Sequence, residues 1–468
     1  MSPLQSLARL SRAELEAYTF QLEKLLGRKR CLESGGRSAK RIDFKQYGAR
    51  KIALKLAYQG WCFPAGFTAQ PGDFAIPTEA KAGPHSFRSV ESALFFALEK
   101  VKLVPCLHWL DDGSAPETTK VSPNRPLQSE LFGEIWSSQG WQYSRGGRTD
   151  KGVSAVGQVV SLLVRCPPPN SGKLFYDYIR LLNKALPESV RIYAWAPVHD
   201  DFSARFSARS RTYKYFIPNM FSEEGLCSMK AAAKMMIGRH DFGNFCKFDA
   251  ETTKGNTERV VLRCAVDLIR DPIIERLCPR GILEFTVEGQ AFLYHQVRFM
   301  VAVLLEIGRG TESLDLVRSL LGLDGYARLD PKPQYVLAPE CPLVLWNVDY
   351  GDQEPEWRYA LSSSEMSKPD FEAAYPVDLV RSALCQWYTD LTKITFHGSF
   401  LSRLLQSCSN SDDAARELVD SLLGHTPQII FPHMMDPKMH IPIKKRSSTG
   451  LNSEERMQKV SRMLERKK

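Results

Sequence analysis

The sequence contains no C-x-x-C pair among its eleven cysteines and no H-x-x-x-H pair among its nine histidines. The missing pairs argue against a structural zinc site. A scattered, odd set of thiols argues against a disulfide framework and for a reducing compartment. Long apolar runs are missing as well: the longest, Phe299 to Leu305, is far too short to span a bilayer. The opening residues, MSPLQSLARLSRAELEAYTF, lack a secretory core and carry Glu14 and Glu16, so neither a signal nor a transit peptide is expected. What remains is 468 residues, 43% of them apolar, with a formal net charge of +9. That length exceeds what one compact core serves and predicts at least two domains plus extensions. The basic balance suits a polyanionic partner such as nucleic acid, as it suits many unrelated proteins.

Ser11 to Glu14 reads as a capping box, followed by Leu15, Tyr18, Leu22 and Leu25 on one helical face. A Gly/Ser-rich basic linker follows, so residues 1–47 read as a tethered helix. Ile52, Leu54, Leu56 and Tyr58 alternate as in a half-buried strand. The pattern then predicts a helix over 90–101, an irregular insertion over about 105–139, a strand to about Val164, a helix over 176–186, and strands over 190–195 and 212–217. The second half predicts a helix over 229–237, strands over 260–269 and 282–287, a long apolar helix over 290–307 and a late strand over 344–348. Without regular β-α-β alternation this favours an α+β fold. Beyond about Gly351 the chain turns polar and mostly helical. Its basic Lys444–Arg446 cluster fits a solvated tail better than an import signal or a phosphate contact.

Three segments carry candidate chemistry. The first is S-R-G-G-R-T-D-K-G-V-S-A, Ser144 to Ala155, which sets Asp150 between Arg148 and Lys151 at the lip of an apolar run. Nearby cations favour the carboxylate form, and an ionised aspartate serves as nucleophile or base. Local chemistry alone favours a plainer role, an Arg–Asp pair pinning a surface turn. The second is F-S-A-R-F-S-A-R-S-R-T-Y-K-Y-F, Phe202 to Phe216, where Arg205, Arg209, Arg211 and Lys214 interleave with Phe206, Tyr213 and Tyr215. Such a stretch suits RNA, with arginines on phosphates and rings on unpaired bases. Core tyrosines with solvated arginines account for it about equally. The third is G-Q-A-F-L-Y-H-Q-V-R-F-M, Gly289 to Met300. It places Tyr294 and Arg298 one turn apart on an apolar helix, where Arg298 needs a partner. His295 reads as a hydrogen-bonded structural histidine rather than a metal ligand.

In order, these segments resemble the TruA family of tRNA pseudouridine synthases over about Lys51 to Tyr350. Further matches are Y-Q-G-W-C-F-P-A-G-F-T-A-Q, L-N-K-A-L-P-E-S-V-R-I, G-R-H-D-F-G-N-F and P-L-V-L-W-N-V. D-K-G-V-S-A, A-F-L-Y-H-Q-V-R and K-P-Q-Y are similar to the eukaryotic branch acting on positions 38 and 39 of the anticodon stem-loop. Lys151 and Ser154 stand where many bacterial members have alanine and histidine. The resemblance implies two ferredoxin-like halves, 48–206 and 207–352, flanking a basic cleft, with a helical extension over 353–468. It implies Asp150 as the catalytic aspartate and Arg148 in the space of a flipped nucleotide. Tyr213 would stack on the uracil, and Arg298 would pair with Asp150. Arg205, Arg209, Arg211, Lys151 and Lys214 would contact RNA. The implied partner is tRNA, with no cofactor, metal or membrane. The resemblance allows a homodimer and a nuclear or cytoplasmic location. Two alternatives stand beside it: the same chemistry on other tRNA or mRNA uridines, and a non-catalytic tRNA-binding folding module.

Overall fold

Alternating apolar residues from Ala49 to Tyr58 form the first strand, β1. A computed structural model describes residues 47–68, 87–104, 141–167, 171, 174–247, 255–269, 280–359, 440–448 and 452–465. The expected N-terminal helix, the 105–139 insertion and most of the C-terminal extension lie outside the described residues. After β1 come helix α1 (Val90–Lys100), strands β2 (Ser144–Arg145) and β3 (Ser154–Arg165), helix α2 (Tyr178–Ala185), and strands β4 (Val190–Pro197) and β5 (Ser210–Pro218). Helix α3 (Glu223–Met235) leads to β6 (Gly238–Asp241), β7 (Glu258–Ile269) and β8 (Ile282–Gly289). Helices α4 (Gln296–Gly308) and α5 (Leu314–Leu321), strand β9 (Leu343–Asp349) and helix α6 (Ser453–Glu465) complete the described strands and α-helices.

The strands form one nine-stranded mixed sheet in the order β4-β1-β3-β9-β5-β8-β7-β6, with β2 beside β3, so the α+β expectation holds. Its pairs are antiparallel except β3 with β9, which run parallel through Ser154–Val344 and Ala155–Leu345 only. That short seam brings two backbones together. A Cβ at Gly157 would lie 2.1 Å from the Trp346 carbonyl oxygen, so only glycine fits there.

Two apolar clusters flank the seam. One gathers Leu54, Leu94, Val160, Leu182 and Trp195 from β1, β3, β4, α1 and α2. The other gathers Tyr215, Met229, Phe285, Val301, Leu304 and Leu320 from β5, β8, α3, α4 and α5. Burying one such side chain contributes about 1.5–3 kcal/mol. Helix α1 shows the local logic. Ser89 and Ser92 exchange bonds in a capping box, and Glu91 sits in the first turn. Val90, Ala93, Leu94, Ala97 and Leu98 then make one buried stripe.

Three local expectations are corrected. Helix α3 begins at Glu223 rather than near Met229, because the Ser222 side chain accepts from Gly225 N. Helix α4 begins at Gln296, not at about Gln290, because the Gln296 side chain accepts from Leu293 N at 2.8 Å and closes a turn ahead of it. Tyr294 therefore precedes the helix that carries Arg298. The Lys444–Arg446 cluster keeps Lys444 and Lys445 exposed, as expected, but its backbone is docked and not a loose tail. Ile443 is 1% exposed, the Gln334 amide donates to the Ser447 carbonyl, and Lys444 lies over the Tyr326 ring.

Candidate active site

The loop from Gly146 to Val153 lies at the seam between the two clusters. Val153 belongs to one of them and Ala155 to the other. Its shape is over-determined. Buried Gln158, on β3, donates to the Gly147 carbonyl at 2.8 Å and accepts from Gly147 N at 3.2 Å. The Tyr58 hydroxyl meets Thr149 Oγ1 at 2.8 Å, and the Asp150 carbonyl accepts from Val153 N. From the other side, the turn after β1 presses against the loop. A Cβ at Gly60 would fall 2.1 Å from the Val153 carbonyl oxygen, and Gly60 N donates to Ser154 Oγ. Only a glycine permits that approach.

This frame leaves the Asp150 side chain 30% exposed, with Oδ2 3.5 Å from His295 Nε2. Burial pushes its carboxyl above the ordinary value. The Arg298 guanidinium opposes that shift, and the Glu340 carboxylate adds to it. Burial thus outweighs the cation effect on which the sequence reading relied, and it makes Asp150 a stronger base. The His295 imidazole is pushed down to about 4, by burial first and then by Arg298, Lys247 and Lys332. It is therefore neutral at neutral pH.

Arg298 was expected to pair with Asp150. Its guanidinium instead donates to the Ala338 carbonyl at 2.7 Å and to Glu340 Oε2 at 2.9 Å. Glu340 itself packs over Gly152, two residues beyond Asp150. Arg298 therefore acts on Asp150 through its field, and its direct carboxylate partner is Glu340. The cost of burying it is met by that pair and one carbonyl.

Tyr213, on β5, packs between both clusters and edge-on against Phe292, and the Asp150 charge reaches it. Burial pushes its phenol well above the ordinary range, so the hydroxyl stays protonated. Arg148 and Lys151 are exposed on the same loop as Asp150. Arg205 and Arg209 are exposed ahead of β5, with Arg205 beside the outward-facing Phe206 ring. Arg211 and Lys214 stand apart from this group. Arg211 donates to the carbonyls of Gly146, Ala208, Gln290 and Arg205, which makes it a clamp on the Asp150 loop. Lys214 points to the opposite face of the sheet from Tyr213, 2.8 Å from Glu284 and over the Trp346 ring. Its charge is engaged away from Asp150.

Sequence reasoning missed Gln158, His295 as a contact of Asp150, and Glu340. Gln158 had a signal: a glutamine inside V-G-Q-V-V-S-L-L-V needs a buried partner. Glu340 had none. Among the described residues no group of three or more His, Cys, Asp or Glu could hold a metal ion, and no helix is long and apolar enough to cross a membrane.

A family profile described as tRNA pseudouridine synthase matches residues 232–351. The chain is 36% identical over 340 residues to the tRNA pseudouridine(38/39) synthase of Mus musculus, an overlap of 69% of this chain and 60% of that protein. It is 30% identical over 356 residues to the probable tRNA pseudouridine synthase tag-124 of Caenorhabditis elegans, covering 70% of this chain and 75% of the relative. Against tRNA pseudouridine synthase A of Archaeoglobus fulgidus it is 35% identical over 211 residues, 45% of this chain and 68% of the relative. The chain spans about 60% of the length of the mammalian relatives it matches.

Proposed function

Because the chain belongs to the tRNA pseudouridine synthase family, we propose that it isomerises uridine to pseudouridine in tRNA, at positions 38 and 39 of the anticodon stem-loop. The observation that carries this reading is Asp150. Its carboxyl is held at the seam on a loop fixed from both sides, with Arg298 and Tyr213 within reach of its charge. The reaction breaks the N1–C1′ bond, rotates the uracil and joins C5 to C1′. A proton leaves C5 and one is gained at N1, so the atoms balance without an oxidant or reductant. A carboxylate made more basic by burial suits the sugar-directed step that opens the bond. The scissile bond is hidden in the stack, so the nucleotide must leave it. Exposed Arg148 fits the vacated space, Tyr213 supplies a face for the uracil, and Lys151, Arg205 and Arg209 supply phosphate contacts.

In this reading the two apolar clusters are the cores of two ferredoxin-like halves, with the substrate cleft along the seam. Arg211 holds the loop, and Lys214 stabilises the back of the sheet. The test is loss of the C5 hydrogen. tRNA labelled with tritium at uridine C5 should release label to water with the wild-type protein and none above background with Asp150→Ala. Release by both proteins would overturn the assignment of Asp150. Release by neither would overturn the reaction.

A further inference from the structure

His295 lies immediately before α4 in the left-handed region, at φ 65, and its side chain makes no cap bond. A non-glycine residue there is strained and persists only where its surroundings hold it. Here the surroundings hold the ring. Its centroid is 3.8 Å from that of Tyr294, the side chain is 12% exposed, and Nε2 faces Asp150 Oδ2 at 3.5 Å. The backbone is fixed as well, because the His295 carbonyl accepts from Phe299 N in the first turn of α4.

The chemistry of the contact follows from what surrounds it. The charged groups acting on the imidazole are Arg298 on its own helix, Lys247 from the loop after Phe245 and Lys332 from the loop before β9, with Asp150 opposite. Burial and the three cations keep the ring neutral, so one nitrogen carries a proton and the other does not. A carboxylate oxygen 3.5 Å from Nε2 favours the tautomer protonated there, although the two atoms are not hydrogen-bonded in this structure. Nδ1 is then a bare acceptor, buried without a hydrogen-bond partner. Leaving a buried acceptor unpaired is costly. A ring kept for packing alone has no reason to carry that cost and the positive φ together.

We propose that His295 is a positioning residue for Asp150: its Nε2, 3.5 Å from Oδ2 and longer than a hydrogen bond in the free protein, closes onto that oxygen when substrate is bound and leaves the other carboxylate oxygen to act on the ribose. The proposal rests on the pseudouridine synthase reading. It explains a division of labour at the start of α4, in which Arg298 tunes the carboxylate from a distance while His295, just ahead of the helix, fixes its rotation. A neutral donor suits that task, since a cation in direct contact would draw charge from the reacting oxygen.

Two substitutions separate positioning from packing. His295→Asn tolerates the left-handed backbone but carries its amide too short to reach Asp150. His295→Gln places an amide nitrogen near the position of Nε2. Single-turnover pseudouridine formation and tRNA affinity are measured for both, beside wild type and Asp150→Ala. With His295→Asn the rate constant should fall about 10- to 100-fold, the range for a polar contact to a charged group that closes to hydrogen-bond length in the substrate complex, while tRNA affinity stays within about twofold of wild type. His295→Gln should recover most of the rate. Equal rates for His295→Asn and wild type would overturn the proposal. So would equal impairment of the Asn and Gln variants, which marks a packing role. Wild-type inactivity would instead strike the proposed reaction, so the two failures are distinguishable.

Discussion

Neutralising Arg298 and neutralising Glu340 should move the pH dependence of catalysis in opposite directions. Both charges act on Asp150: the guanidinium holds its carboxyl down and the Glu340 carboxylate lifts it. Arg298→Met removes a cation whose side chain is only 12% exposed. A cation near a carboxylate lowers its pKa. Without Arg298 the carboxyl titrates higher, so the acidic limb of the single-turnover rate moves up. At a pH below the limb, each pH unit of that movement is a loss of about tenfold. Glu340→Gln works the other way. Glu340 is 41% exposed and paired with Arg298, so the limb moves down, and by less than it moves up in Arg298→Met. The assay is single-turnover pseudouridine formation at saturating enzyme between about pH 4.5 and 8, read for the position of the limb and not its height. Height will also fall in Arg298→Met, because that variant loses the anchor at Ala338. Two limbs moving in the same direction, or neither moving, would refute the electrostatic account of Asp150.

Asp150→Asn should raise the melting temperature at pH 7. Burial lifts the folded carboxyl above its ordinary value of 3.8, so the stability it contributes is present below that value and lost as pH rises through the folded one. The advantage of the variant should shrink on acidification toward pH 3.8, and a constant advantage would count against the burial effect. Lys332 is lowered from 10.5 to about 7 by burial. Between those values the unfolded chain binds a proton that the folded chain does not. Wild type should therefore gain stability relative to Lys332→Met as pH rises through that window, seen as a wild-type urea midpoint that rises relative to that of the variant. Gly157→Ala puts a methyl group 2.1 Å from a backbone oxygen of β9, and should cost about 3 kcal/mol or more in urea unfolding.

The parts of this fold legible in the sequence were those with a period. Strand β1, helix α1 and strands β7 and β8 announce themselves by apolar spacing, and their cores lie where that spacing put them. Helix α4 was legible in its apolar body but not in its start, because Gln296 closes the preceding turn with its side chain and displaces Tyr294 from the helix. The site divides along the same line. Asp150 stood out because glycines and cations crowd around it in sequence. Its surroundings did not, because they arrive from elsewhere in the chain: Glu340 from ahead of β9, His295 from ahead of α4 and Tyr58 from β1. Arg211 and Lys214 looked alike as basic residues among aromatics. A strand turns alternate residues to opposite faces, and the bonds of Arg211 to four carbonyls were invisible in the spacing.

The most direct measurement is a map of pseudouridine, position by position, in a tRNA carrying uridine at 38, at 39 and at sites outside the anticodon stem-loop. The tRNA is incubated with the purified full-length chain, wild type or Asp150→Ala. The account predicts conversion at 38 and 39 by the wild type and at no position by the variant. Conversion elsewhere with 38 and 39 untouched would contradict the substrate assignment. A tRNA that binds the wild type and keeps every uridine would contradict the reaction itself.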